Sequence, residues 1–172
     1  MKRAVYGVVG VLALMTLTVS PTSAEDSGGS LAAKLIGFNE VPANLTTGTG
    51  TFTATVSASA ISYRLTYSSL AAPATASHIH FAQPRVSGGI FAFLCGGGGK
   101  PACPPGGGTV TGTITAADVL GLPGQGLSAG DFAGALLIIR SGNAYVNVHT
   151  TRFPAGEIRG QVRTGEGDRN QD

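Results

Sequence analysis

The sequence predicts an all-β fold, mainly antiparallel, of about eight strands in a Greek-key-like sandwich or barrel, with one short helix near residues 129–140. Three observations predict it. Short runs alternate apolar and polar residues with period 2, glycine is abundant at 27 of 172 residues and gathers between those runs, and a single segment carries a helical period. Hydrophobic residues make up 42% and charged residues 12%, which is too apolar for a disordered chain. The glycines show no G-X-Y period, so collagen is excluded.

The chain opens on Lys2-Arg3, an apolar stretch from Ala4 to Val19, then Pro21 and the small residues Thr22-Ser23-Ala24. This is the pattern of a secretory signal over residues 1–24, cleaved after Ala24. The apolar run falls short of the ~20 residues that span a bilayer and no basic cluster follows it, so no membrane span is expected after cleavage. The expected location is extracytoplasmic, secreted or in the cell envelope. Without Lys2 and Arg3, nine basic residues face nine acidic ones. A neutral mature chain offers no electrostatic footprint for nucleic acid.

Residues 25–30 read as a linker, residues 31–163 as one domain and residues 164–172 as a disordered tail. Leu31–Ile36 is the first strand candidate. Thr51–Val56 puts Phe52, Ala54 and Val56 on one face and threonines on the other; Ile61–Tyr67 sets Ile61, Tyr63, Leu65 and Tyr67 against Ser62, Arg64 and Thr66. The short Ser/Ala link between these two predicts a hairpin. Ser77–Phe81, Ile90–Leu94, Thr109–Thr115, Ala144–Thr150 and Glu157–Val162 complete the strand set. Thr115-Ala116-Ala117-Asp118 is a miniature capping pattern that can start one helical turn. Ser128-Ala129-Gly130-Asp131 resembles a capping box, and Phe132, Ala135, Leu136 and Ile139 follow at helical spacing, so Ala129 to Arg140 reads as the helix, stopped by Gly142.

In an exported chain, Cys95 and Cys103 of CGGGGKPAC read as a structural disulfide, contributing about 2.5 kcal/mol through loop closure. Gly99-Lys100 does not make a phosphate loop, because Pro101 stands where Ser or Thr is needed and Leu94 where a glycine is needed.

The three histidines are the residues with chemistry. On a strand, His78 and His80 of His78-Ile79-His80 share one face; Tyr145, Asn147 and His149 share a face of their strand, with Val146 and Val148 on the other. Three neutral imidazoles suit zinc or copper, with water or a carboxylate in a fourth position. Glu157 is the nearest candidate carboxylate in sequence and Glu40 the other. The competing reading is a hydrogen-bonded polar layer without metal.

The sequence resembles the CHRD domain family, found in chordin and in bacterial secreted proteins. The resemblance rests on Leu35-Ile36-Gly37-Phe38-Asn39-Glu40-Val41-Pro42, Gly48-Thr49-Gly50-Thr51, His78-Ile79-His80, Gly142 to Thr150 and Pro154 to Gln161, in the family's order. It implies a secreted, single-domain β protein and implies no reaction. The CGGGGKPACPPGGG insert is longer than the family's usual loop there. Both histidine motifs belong to the family's signature. Glu40 and Arg159 read as an ion pair locking the first strand to the last, and Asn147 as a structural polar residue.

Two functional readings follow. The first is an extracytoplasmic binding or structural module for an extracellular protein or glycan, with a three-histidine metal site as an added feature. The second is a copper- or zinc-binding envelope protein or metalloenzyme using His78, His80 and His149. Copper-zinc superoxide dismutase also carries an H-x-H strand in a β-sandwich, but three histidines are too few for a dinuclear site, and no catalytic residue is assigned. Convergence of the three side chains separates the metal readings from the rest.

Overall fold

The structure is a computed structural model that describes Met1, Ala4 and residues 29–165. The rest of the expected export signal, the linker up to residue 28 and the tail from residue 166 lie outside the described residues. The strands are β1 (Ser30–Ile36), β2 (Thr49–Val56), β3 (Ile61–Ser68), β4 (Ala74–Phe81), β5 (Gly89–Cys95), β6 (Gly108–Ile114), β7 (Ala144–Thr150), β8 (Ile158–Gln161) and β9 (Arg163–Thr164). They form one sheet in the order β5-β4-β7-β8-β1-β2-β3-β6, with β9 paired to β1, and every pairing is antiparallel. Among the described residues no helix is long and apolar enough to cross a membrane.

Period-2 sequence becomes period-2 burial. Along β2 and β3 the residues alternate between exposed and buried, and the two pair without a bulge from Thr49 opposite Ser68 to Val56 opposite Ile61. Phe52, Leu65 and Tyr67 are almost fully buried, each contributing about 1.5–3 kcal/mol for its apolar surface. The sheet curls until its edge strands β5 and β6 approach each other, a nearly closed barrel. Three links cross that gap. The Tyr63 hydroxyl donates to Leu94 O at 2.7 Å, the Leu120 N–H donates to Phe91 O at 2.8 Å, and Cys95 is bonded to Cys103. They cover an edge that would otherwise offer unpaired backbone.

Helix α1 (Phe132–Arg140) starts three residues later than the sequence pattern suggests. Gly130 sits in the left-handed region at φ 79°, which no right-handed helix can include, and Asp131 is itself the cap, accepting the Gly134 N–H at 2.8 Å. The helix buries Ala135, Leu136, Ile138 and Ile139 and leaves Leu137 exposed, as the helical period requires. The capping box at Thr115 and Asp118 does form, over a single 3-10 turn (Ala116–Asp118). Thr164, read from sequence as the start of a tail, instead continues the sheet opposite Leu31.

The site is positioned by register. In the pairing of β4 with β7, His78 lies opposite Asn147 and His80 opposite Tyr145. In the pairing of β7 with β8, Asn147 lies opposite Arg159 and Tyr145 opposite Gln161. Ile79, Val146 and Val148 join the apolar core. The alternate residues therefore make a polar layer on the other face, and most of it is buried: His78, His80, Asn147, Arg159 and Tyr145 are all under a tenth exposed.

Candidate metal centre

The three histidines converge. One ring nitrogen from each of His78, His80 and His149 falls within a set whose members all lie within 4.8 Å of one another. His78 Nδ1 stands 3.1 Å from His149 Nε2. His80 Nε2 and His149 Nε2 each stand 3.0 Å from Asn147 Oδ1. A tetrahedral zinc with bonds of about 2.0–2.1 Å separates its ligand atoms by roughly 3.3 Å. The three closest contacts, 3.0–3.1 Å, are slightly shorter than that while the ring-nitrogen set spans up to 4.8 Å, so some contacts would open and the widest would close around an ion.

The far sides of two rings are fixed by backbone. His80 Nδ1 faces Gly88 O at 2.9 Å and His149 Nδ1 faces Pro154 O at 2.9 Å. Such contacts place the proton on Nδ1 and leave the Nε2 lone pair pointing inward, the arrangement that orients metal-bound histidines. His80 is further held by Tyr145, whose ring stacks on it at 4.5 Å and 6°, and His78 by the edge of Phe93 at 4.5 Å.

This geometry leaves one conflict. Both nitrogens of His80 face an oxygen acceptor, Gly88 O on one side and Asn147 Oδ1 on the other, yet a neutral imidazole carries one proton. Protonating the ring would satisfy both contacts, but burial first, then the charges of His149 and Arg159, outweigh the hydrogen bonds to Gly88 and Asn147 and lower His80 to about 4. His78 is lowered to about 3 by burial and then by His149 and His80; His149 is lowered by burial, against the pull of Pro154 O. All three are neutral at neutral pH. Turning the Asn147 amide would instead offer Nδ2 to the two Nε2 lone pairs and Oδ1 to Glu40, whose carboxyl, raised to about 7, can donate in return, so a hydrogen-bonded layer is one way to satisfy His80. A cation held by ring nitrogens of His78, His80 and His149 would be another.

The other residues singled out in the sequence have different places. Glu157, the nominated fourth ligand, is fully buried and outside the histidine cluster. Its Oε1 accepts from the Thr46 hydroxyl at 2.6 Å and the Ala71 N–H at 2.7 Å, and its Oε2 from the Thr150 hydroxyl at 2.8 Å, so it clamps three segments together. Glu40 and Arg159 do not form the expected ion pair; among the described residues the ion pair is Lys100–Asp118 at 2.7 Å. Arg159 lies with its Cζ 3.4 Å over the Tyr145 ring and donates from one nitrogen to Gln83 O and Val86 O, which pins the β4–β5 loop. Burial outweighs Arg159, Asn147 and the Val41 N–H at Glu40 and raises its carboxyl to about 7. Gly156, at φ 126°, is what lets Glu40 and Asn147 approach, since a Cβ there would overlap Glu40 Oε1 and crowd Asn147 Nδ2. That Asn147 Oδ1 faces two of the rings was missed in the sequence, although its place two residues before His149 put it on the right face.

No curated protein and no solved structure matches this chain. The CHRD domain matches residues 31–162, a span that contains both histidine motifs, Glu40, Asn147, Glu157 and Arg159. The fold and the buried histidine layer thus fall within one family unit, and the chain belongs to the CHRD domain family.

Proposed function

We propose that the protein is an exported CHRD-domain module that holds one copper or zinc ion with His78, His80 and His149, Asn147 Oδ1 being the fourth donor. The observation that carries this reading is the convergence of three neutral imidazoles, His78, His80 and His149, to within 4.8 Å of one another, with His80 facing an oxygen on both sides. Zinc and copper(II) both accept three neutral imidazoles, and neither has to displace a proton from rings already neutral at pH 7. The disulfide supports export, since such bonds persist in oxidising compartments.

Binding is favoured over turnover. A hydrolytic zinc needs an open position and a nearby base. Here Asn147 faces the cluster and Glu157, the one nominated base, is held by Thr46, Ala71 and Thr150. The test is equilibrium dialysis of residues 25–172 against zinc or copper(II), with elemental analysis of the retained protein. The expected result is one ion per chain, lost in the His78→Ala/His80→Ala variant. A wild-type chain that retains no ion overturns the reading.

A further inference from the structure

A second feature lies across β1, β2, β8 and β9 and is lined by none of the histidines. It is a cleft of about 660 Å³, the size that takes a small ligand of two or three rings. Four cations line it, Lys34, Arg85, Arg159 and Arg163, and no carboxylate does. The acidic residues of the described chain are committed elsewhere. Glu157 is buried, Asp118 pairs with Lys100, Asp131 caps α1, and Glu40 is buried outside the lining, where its charge acts on Arg159 without an ion pair. The cleft cations therefore make no ion pair among the described residues.

Four details mark it as more than a basic surface. Arg159 is 2% exposed, and its Nη1 is buried with no hydrogen-bond partner. Gln161, beside it in the lining, has an unpartnered buried Oε1. Arg85 is held at φ 64°, a left-handed backbone that is uncommon outside glycine and asparagine, in the loop that Arg159 pins. Phe38, also in the lining, is 67% exposed and offers an aromatic face beside the charges.

Guanidinium groups recognise carboxylates, an exposed aromatic ring stacks against a sugar face, and the lining hydroxyls of Thr51, Thr53 and Thr164 suit ring hydroxyls. We propose that this cleft binds an acidic oligosaccharide through its carboxylates, with Arg85 and Arg163 as outer contacts. The site requires no metal, so its test is independent of the histidine cluster.

The test is isothermal titration at low salt with tri-galacturonate, maltotriose and citrate as separate probes. The expected result is one tri-galacturonate per chain, weakened by added salt, with no binding of maltotriose and at least tenfold weaker binding of citrate. An Arg85→Asn/Arg163→Gln variant should bind tri-galacturonate about tenfold more weakly at an unchanged unfolding midpoint, because both side chains are exposed. Citrate binding as tightly as tri-galacturonate overturns the assignment in favour of a simple anion site. Absence of tri-galacturonate binding, or equal binding by the variant, overturns it outright.

Discussion

Acidification of the metal-free protein should destabilise it, because the buried histidines are neutral in the fold and charged in the unfolded chain. His78 and His80 fall from an ordinary value of 6.5 to about 3 and about 4. A base whose native pKa is depressed binds fewer protons folded than unfolded, so its contribution is present above 6.5 and drains away as pH falls towards the native value. Between pH 7 and pH 5 each of the two loses about 2 kcal/mol by this linkage, roughly 4 kcal/mol together. His149 acts in the same direction. Glu40 opposes them. Its native value is raised from 4.5 to about 7, so it takes up a proton in the fold first and returns about 2 kcal/mol over the same interval. The net expectation is a loss of about 2 kcal/mol or more, measured by urea denaturation at the two pH values with a chelator present. In a Glu40→Gln variant the opposing contribution is gone and the loss should grow to about 4 kcal/mol. Stability that holds constant or rises from pH 7 to pH 5 in that variant would refute the argument that the cluster is buried and neutral.

Other perturbations separate the parts of the fold. Replacing Cys95 and Cys103 with alanine should cost about 2.5 kcal/mol in urea denaturation through the freed loop, while leaving zinc affinity unchanged. Gly156→Ala should cost about 2 kcal/mol and weaken zinc binding, because the new Cβ drives into Glu40 and Asn147 from an unfavourable φ; an unperturbed melting curve would contradict that packing. Glu157→Gln should cost about 1–3 kcal/mol by disturbing three hydrogen bonds, yet leave zinc affinity as it was. A large loss of affinity in that variant would return Glu157 to the metal.

The alternation in Thr51–Val56 and Ile61–Tyr67 was enough to place β2 and β3, because side-chain period and burial period coincide on a half-buried strand. The helix was legible from Phe132 to Ile139, but its start was not. The expected box had Ser128 as its cap and Asp131 as its last residue, and the left-handed Gly130 between them makes Asp131 the cap instead. At the site, the shared face of His78 and His80 and that of Asn147 and His149 could be read from spacing alone. That the two faces coincide is a matter of register between β4 and β7, strands some sixty-odd residues apart, and no local pattern encodes it. Glu157 was drawn towards the histidines by its closeness to His149 in sequence, and Glu40 was the other candidate. The partners of Glu157 are Thr46 and Ala71, on loops whose paths the sequence does not specify, and Thr150 at the end of β7, while Glu40 lies beside Asn147 of β7 through a register that no local pattern encodes.

The most direct measurement is long-range proton–nitrogen NMR of the imidazole nitrogens during a zinc titration of residues 25–172. The account predicts that three rings respond together and saturate at one zinc per chain. His78 should ligate through Nδ1, and His80 and His149 through Nε2, with the Nδ1 protons of the last two retained against Gly88 O and Pro154 O. Fewer than three responding rings, or a titration that leaves all of them unchanged, would contradict a three-histidine metal centre.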